Sequence, residues 1–225
     1  MHAEQPRQDE EKVELPLFVD DVSRRTRRTW AKDLGAPERK VLRETLIALA
    51  GGKEPNFSDL SRTSELPLDR VRAALRVLEA CDCVALEGER VRVAYPFTAD
   101  DVPHEVVSSK GVARTCCAID ALGVGAMLGE TIEIRSQCSY CGAPIRLRGR
   151  DQFDGGEDAV VFISPTGAVR GKAIDVVCPS INFYCNLEHG QAHVGPWAER
   201  GRLVSIAQAT AIGIAIFGDL LSVLE

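Results

Sequence analysis

The sequence lacks the features that mark several common classes of protein. It has no excess of basic residues: 27 Lys and Arg stand against 33 Asp and Glu, for a net charge of −6. This balance argues against general binding to nucleic acid or to anionic membranes, leaving only a local basic patch as a route to such partners. No apolar stretch of the kind found in a secretory signal lies near residue 1. We therefore expect a cytoplasmic protein whose cysteines are thiols or metal ligands, not disulfides.

Long apolar runs and internal repeats are also missing. The most apolar segment, 203–218, is interrupted by Ser205, Gln208 and Thr210 and closed by Asp219. It falls short of the roughly 20 apolar residues of a membrane span. A strand followed by a buried helix is the better interpretation.

The first half of the chain has a recognisable pattern. Residues 1–35 are charged and without periodicity, which predicts a flexible tail. From Pro37, apolar residues at helical spacing predict three helices, and 84–94 predicts a β-hairpin. Three helices followed by a hairpin are typical of a winged helix, which we place at 36–100. The third helix carries a modest basic face, so DNA binding remains open on this segment alone.

The second half predicts a different domain. Residues 101–109 resemble a linker, and 111–225 contains helices and strands that do not alternate strictly. Predicted helices lie at 116–122 and 208–224, and one of the predicted strands at 174–178. The fold class is therefore α+β, with a winged-helix-like helical domain followed by a mixed or antiparallel sheet domain with packed helices.

Eight cysteines are the most informative feature of this acidic chain. Cys81 and Cys83 suit small buried hydrophobes. Cys138 and Cys141, two residues apart and followed by glycine, resemble half of a zinc knuckle. A mixed site that adds Cys185 and His189 is one interpretation. A cysteine-bearing turn is favoured, because no second cysteine pair has comparable spacing. Gly190 and Gly195 also predict a loop around His189 and His193.

Cys117 and Asp120 form a sharper combination. Residues three apart share a helix face, so a thiolate and a carboxylate can reach one bound atom. Cys178, flanked by apolar residues, offers a second thiolate. A helix that starts near Arg114 or Thr115 would place exposed amides and Arg114 near the Cys117 thiol and lower its pKa. Two sulfurs with a proton carrier suit a thiophilic metal, although spacing alone also allows a buried cysteine and a surface aspartate.

Three blocks resemble the bacterial organomercurial (alkylmercury) lyase family. They are Arg-Thr-Cys-Cys-Ala-Ile-Asp-Ala-Leu at 114–122, Ile-Arg-Ser-Gln-Cys-Ser-Tyr-Cys-Gly-Ala-Pro-Ile at 134–145 and Cys-Pro-Ser-Ile-Asn-Phe-Tyr at 178–184. The C-terminal strand and helix fit as well, and the resemblance spans roughly 37–222. Cys141 and Cys185 are extra thiols relative to the family pattern.

The resemblance implies a function in mercury resistance and detoxification. Cys117 and Cys178 would bind the organomercurial substrate, and Asp120 would deliver a proton to carbon, leaving a hydrocarbon and Hg(II) on the two thiolates. Burial is expected to keep Asp120 able to hold a proton near neutral pH. No cofactor is implied; free cellular thiols act as co-reactant, and a mercuric reductase is a candidate recipient of Hg(II). The family's winged-helix domain is structural, so neither specific nucleic acid nor a membrane is an expected partner.

Two other functions remain open on the sequence. One is a metal-responsive winged-helix transcriptional regulator, with the cysteine domain as sensor. The other is a zinc- or copper-binding module built on Cys138 and Cys141. A regulator would bind DNA in a salt-sensitive way, and a metal module would purify with stoichiometric metal.

Overall fold

The computed structural model describes residues 32–163, 171–195 and 201–225. The predicted tail therefore lies almost entirely outside the described residues. Three helices come first, and the remaining elements are antiparallel strands with helices packed against them. The first helices are α1 (Ala36–Ala50), α2 (Phe57–Ser64) and α3 (Leu68–Ala80). This arrangement confirms the α+β class.

The predicted helical periodicity accounts for the N-terminal helices. Pro37 lies in the first turn of α1, where a missing N–H costs nothing, and Val41 and Leu46 on its inner face are fully buried. A capping box opens α2: the Asn56 side chain accepts the Asp59 N–H, and the Asp59 carboxylate accepts the Asn56 N–H. The helices pack on one another and on the sheet that follows.

A large antiparallel sheet contains eight strands in the order β1-β2-β3-β5-β4-β6-β7-β8. Their bounds are β1 (Val84–Glu87), β2 (Arg90–Ala94), β3 (Phe97–Thr98), β4 (Glu105–Ser108), β5 (Gly111–Thr115), β6 (Ile132–Gln137), β7 (Pro144–Gly149) and β8 (Phe153–Asp154). The predicted hairpin is β1–β2.

The segment predicted to be a linker, 101–109, contains β4. This short strand pairs with both β5 and β6, and its Val106 side chain is buried. Four residues give too short an alternation to be recognised in the sequence, so tertiary pairing decides their structure. The sheet is consequently continuous through the segment between the two predicted domains, and the domain boundaries at 100 and 111 stay a prediction.

A smaller sheet and five helices complete the described part of the chain. Its strands, in the order β10-β9-β11, are β9 (Val160–Ile163), β10 (Phe183–Tyr184) and β11 (Arg202–Ser205). The helices are α4 (Ala118–Leu128), α5 (Ala173–Val176), α6 (Leu187–Val194), α7 (Ile206–Phe217) and α8 (Leu220–Val223).

One predicted strand, at 174–178, is wrong. Residues 173–176 form α5, and Cys178–Ser180 form a 3₁₀ turn. The N–H groups of Ala173 and Ile174 bond to the side chains of Asp82 and Tyr95 rather than to a neighbouring strand. The β-branched residues there are therefore overruled by tertiary hydrogen bonds.

The apolar C-terminal segment packs as predicted, as a strand followed by a buried helix. Residues Ile206–Val223 have the length and composition of a membrane span, but the helix is interrupted between α7 and α8. Gly213 of α7 meets Gly123 of α4 so closely that a Cβ on Gly123 would lie 2.7 Å from the Gly213 carbonyl oxygen. This tight crossing holds the helix that follows Cys117 against α7.

Candidate active site

Cys117 and Asp120 lie at the junction between β5 and α4. The Cys116 N–H donates to the Pro96 carbonyl at 3.0 Å, which ends the strand, and Cys117 is the N-cap of α4 with extended backbone. The helix begins two residues later than predicted and continues to Leu128. Asp120 is in its first turn, so the predicted common face is retained.

Cys178 reaches the same place from a distant part of the sequence. The N–H of Ala118 donates to the carbonyl oxygen of Ile181 at 3.1 Å, which joins the start of α4 to the segment after Cys178. Ligand atoms of Cys117, Asp120 and Cys178 all lie within 4.8 Å of one another. The Cys178 Sγ is 3.9 Å from Asp120 Oδ2.

The three side chains are buried, with exposed fractions of 2% for Cys117 and 5% for both Asp120 and Cys178. Burial raises the pKa of the Cys117 thiol well above its ordinary value, helped by its contact with Cys178 and by the Asp120 charge. The Asp120 backbone N–H acts in the other direction but is outweighed. The expected lowering of this pKa is therefore wrong: Arg114 lies at the surface, where it pairs with Asp101 at 3.2 Å.

The N-terminal helices brace the segment that precedes Cys178. Glu79 of α3 forms an ion pair with Lys172, which lowers the pKa of the Glu79 carboxyl. The Asp82 carboxylate accepts the Ala173 N–H at 3.0 Å, and the Tyr95 hydroxyl accepts the Ile174 N–H at 2.7 Å. Residues before position 100 thus hold one of the two site cysteines in place.

His104 is a buried neighbour of the site that the sequence did not indicate. Its Nδ1 lies 2.8 Å from the Ser136 hydroxyl, and its ring meets Phe183 edge to face. Burial lowers the pKa of His104 to about 4. A hydrogen bond with Asn182 and the charge of Cys178 act to raise this pKa but are outweighed. A neutral imidazole therefore lies beside Cys178. A lone histidine in an apparent linker carries no sequence signal for such a position.

A second group of ligands lies apart from the first. Ligand atoms of Cys138, Cys141, Cys185 and His189 are within 4.8 Å of one another. Cys138 and Cys141 lie on the favoured cysteine-bearing turn, and α6 places His189 beside it, as in the mixed-site interpretation. The predicted loop is a helix. A Cβ on Gly190 would lie 2.7 Å from a Leu203 methyl, so a larger residue there would require the Leu203 side chain to move.

The thiols of this second group differ in acidity. Burial opposes ionisation of Cys138, but hydrogen bonds from the backbone N–H groups of Cys185 and Cys141 stabilise its thiolate, and its pKa falls to about 6. Burial and the two neighbouring sulfurs raise the pKa of Cys185 to about 11. Cys81 and Cys83, whose sulfurs are 3.3 Å apart, form a separate pair; Cys83 is buried as predicted and Cys81 partly so.

Known proteins resemble the chain in sequence and in structure. Alkylmercury lyases of Bacillus cereus and Clostridium butyricum are each 26% identical over 184 residues, covering 77% of this chain and 78% of theirs. The alkylmercury lyase of Streptomyces lividans is 25% identical over 186 residues, with 80% and 83% covered. A crystal structure of the mercury-bound form of MerB2 shares the fold, with a TM-score of 0.74 at 16% identity, over 92% of this chain and 100% of that one.

The family model for alkylmercury lyase, MerB, matches residues 97–218, which is more than half of the chain. The matched region includes all three residues of the buried cluster and the whole of the second cluster. The resemblance stated from the sequence is confirmed, as is the prediction of an enzyme of this class. The chain belongs to the alkylmercury lyase family.

Proposed function

We propose that this enzyme cleaves the carbon–mercury bond of organomercurials by protonolysis, with Cys117, Asp120 and Cys178 as its catalytic residues. The observation that carries the proposal is the burial of two thiols and one carboxyl with their ligand atoms within 4.8 Å. Family membership supports the carbon–mercury cleavage, and the geometry supports the assignment of roles.

Capture of the substrate is a thiol exchange. The Cys117 sulfur replaces a small thiolate on R–Hg⁺, and the thiol proton leaves with the displaced thiolate. The Cys178 sulfur then binds the same mercury as a second soft ligand. Its proton passes to Asp120, whose Oδ2 is 3.9 Å from the Cys178 Sγ.

Binding of the second sulfur to mercury prepares the Hg–C bond for cleavage. Two thiolates increase the electron density on mercury and make the bound carbon more basic. The Asp120 carboxyl donates its proton to that carbon, and the electron pair of the Hg–C bond forms the new C–H bond. The hydrocarbon leaves, and Hg(II) stays on Cys117 and Cys178 with its oxidation state unchanged.

Release regenerates the thiols. Two free cellular thiols displace Hg(II) and return protons to Cys117 and Cys178, so the reaction needs no cofactor. A mercuric reductase that accepts Hg(II) from such thiols is the expected next protein. This chemistry suits a reducing cytoplasm, where the site thiols stay reduced.

Turnover of an arylmercury compound with excess thiol tests the proposal. Chromatography should detect one arene for each mercury consumed, and Cys117→Ser should release none. Cys81→Ser removes a thiol from the separate pair and serves as the matched control. A folded wild-type enzyme that binds the substrate but releases no arene would contradict the proposal.

A DNA-binding experiment distinguishes the lyase from the alternative function, a winged-helix transcriptional regulator. The acidic chain and the structural use of 79–95 to hold the Cys178 segment support an absence of specific DNA binding. A salt-sensitive, sequence-specific mobility shift at nanomolar protein would favour the regulator instead.

A further inference from the structure

The second cluster contains two pairs of metal-ligand residues, one from the turn after β6 and one from the start of α6, each with a spacing found in zinc sites. Cys138 and Cys141 are the ends of a Cys-x2-Cys turn closed by Gly142, and Cys185 and His189 form a Cys-x3-His pair at the start of α6. Two short-spaced pairs brought together by the fold are the usual arrangement of a structural zinc site. None of these four side chains takes part in the proposed cleavage.

Two of the three ligand distances match a tetrahedral zinc ion, and the third is a shorter hydrogen-bond distance that metal binding would lengthen. Zinc bonds of about 2.3 Å to sulfur and 2.0 Å to nitrogen place two sulfurs about 3.8 Å apart and a sulfur and a nitrogen about 3.6 Å apart. The Cys141 and Cys185 sulfurs are 3.9 Å apart. His189 Nδ1 lies 3.8 Å from the Cys138 sulfur and 3.0 Å from the Cys185 sulfur.

The backbone already holds both ligand pairs. The Gly142 N–H donates to the Cys138 carbonyl at 2.8 Å, and Gly142 has a φ of 73°, which lets the turn close behind the second cysteine. The Asn186 side chain caps α6 by accepting the His189 N–H at 2.8 Å. The Tyr140 ring lies 5.0 Å from the His189 ring between centroids and covers one side of the imidazole.

The donor set excludes hard metal ions. Three thiolates and one imidazole are ligands for Zn(II) and not for hard ions such as Mg²⁺ or Ca²⁺. Four protein ligands leave no open coordination position, which is the arrangement of a structural site.

We propose that Cys138, Cys141, Cys185 and His189 bind one Zn(II) ion, separate from the mercury site, and that this ion fixes the turn after β6 to the segment that follows Cys178. Binding displaces the remaining thiol protons to solvent and involves no change of oxidation state. The two segments are already in contact, for example through the hydrogen bond from the Ser139 N–H to the Phe183 carbonyl at 2.9 Å. The metal adds four bonds to this joint.

Elemental analysis of the full-length enzyme tests the proposal. The protein is expressed without mercury in zinc-supplemented medium and purified with a reducing agent, and zinc per chain is measured by plasma mass spectrometry. We expect one zinc per chain, with X-ray absorption showing three sulfur ligands and one nitrogen ligand. Cys141→Ser and His189→Gln should each lower zinc affinity by at least about 100-fold, more than the loss caused by outer-shell changes.

Two controls identify the site. Cys178→Ser and Cys81→Ser should both keep their zinc, because these sulfurs belong to other clusters. Unchanged zinc affinity in Cys141→Ser and His189→Gln would overturn the proposal, and so would loss of zinc from a folded Cys178→Ser. A reduced wild-type protein that takes up no zinc on reconstitution, or that holds copper in preference to zinc at these four ligands, would overturn it as well. The X-ray absorption spectrum of the wild type identifies the ligand atoms even where a variant fails to fold.

Discussion

The two clusters contain similar atoms but differ in burial and in ligand number. Cys117, Asp120 and Cys178 are buried and offer two sulfurs and a carboxyl, whereas the second cluster is partly exposed and offers three sulfurs and an imidazole. Three donors leave room on a metal for a substrate carbon, and four donors close the shell. The number of ligands, more than their softness, therefore distinguishes the proposed mercury site from the proposed zinc site.

Of the variants that test this difference between the two clusters, Cys117→Ser is expected to have the largest effect, on arene release. A hydroxyl is a hard, poor ligand for mercury, so arene release should fall below detection while circular dichroism and thermal unfolding stay near those of the wild type. Turnover within a few-fold of the wild type would show that another thiol captures the substrate. Cys116→Ser, at the preceding buried position, tests whether any neighbouring thiol matters.

Asp120→Asn should separate binding from cleavage. The amide keeps size and polarity but has no transferable carboxyl proton, so cleavage should slow by roughly 10²- to 10⁴-fold, the usual contribution of a positioned general acid. Cys117 and Cys178 should still hold R–Hg⁺ as an adduct visible by mass spectrometry. Normal cleavage would place the proton on a thiol or water, and loss of the adduct would make Asp120 a structural residue or a ligand.

The pH dependence of capture should follow the raised pKa of Cys117. Since the free enzyme holds this thiol protonated near neutral pH, the thiolate fraction should grow about tenfold per pH unit and still be rising above about pH 8.5, the ordinary thiol value. Stopped-flow capture of an arylmercury compound measures this profile. Asp120→Asn removes a neighbouring negative charge and should move it to lower pH; a rate that stays constant above neutral pH contradicts the assignment.

The double variant Cys138→Ser/Cys141→Ser should affect stability more than chemistry. Loss of the turn ligands should lower the Tm by roughly 5 °C or more, given about 2–4 °C for each kcal/mol in a chain of this size. Arene release at a temperature where the variant is folded should remain close to that of the wild type. A variant that folds normally but cannot cleave would mean that the two clusters have been assigned the wrong way round.

Local pattern was enough to predict much of this molecule. The N-terminal helices, the hairpin and the common face of Cys117 and Asp120 depend on residues close together in sequence. Cys178 was a candidate second thiolate from its apolar flanks, but only the family resemblance connected it to position 117, since no local rule does so. The raised pKa of Cys117 depends on burial by distant residues and was not predictable from a helix start.

One interpretation of the sequence did bring the four residues of the second cluster together, but it was not the favoured one. A zinc knuckle is recognised in sequence by two cysteine pairs of similar spacing. In this cluster the second pair is Cys185 with His189, and Gly190 beside His189 made a loop look more plausible than the helix that the structure shows. Leu203 packs against that glycine, a contact that a linear sequence does not display. Strand β4 and the helical turn at 173–176 are likewise set by partners far away in the chain.

The hydrogen bond from the Ala118 N–H to the Ile181 carbonyl makes it possible to follow the contact between the two cysteine-bearing segments by amide exchange. This amide proton is protected from solvent only while the segments carrying Cys117 and Cys178 are joined. Its rate of hydrogen–deuterium exchange therefore measures how often the two thiols separate, and at what free-energy cost, independently of any mercury compound. A single backbone amide thus records the separation of the two thiols that are proposed to hold mercury between them.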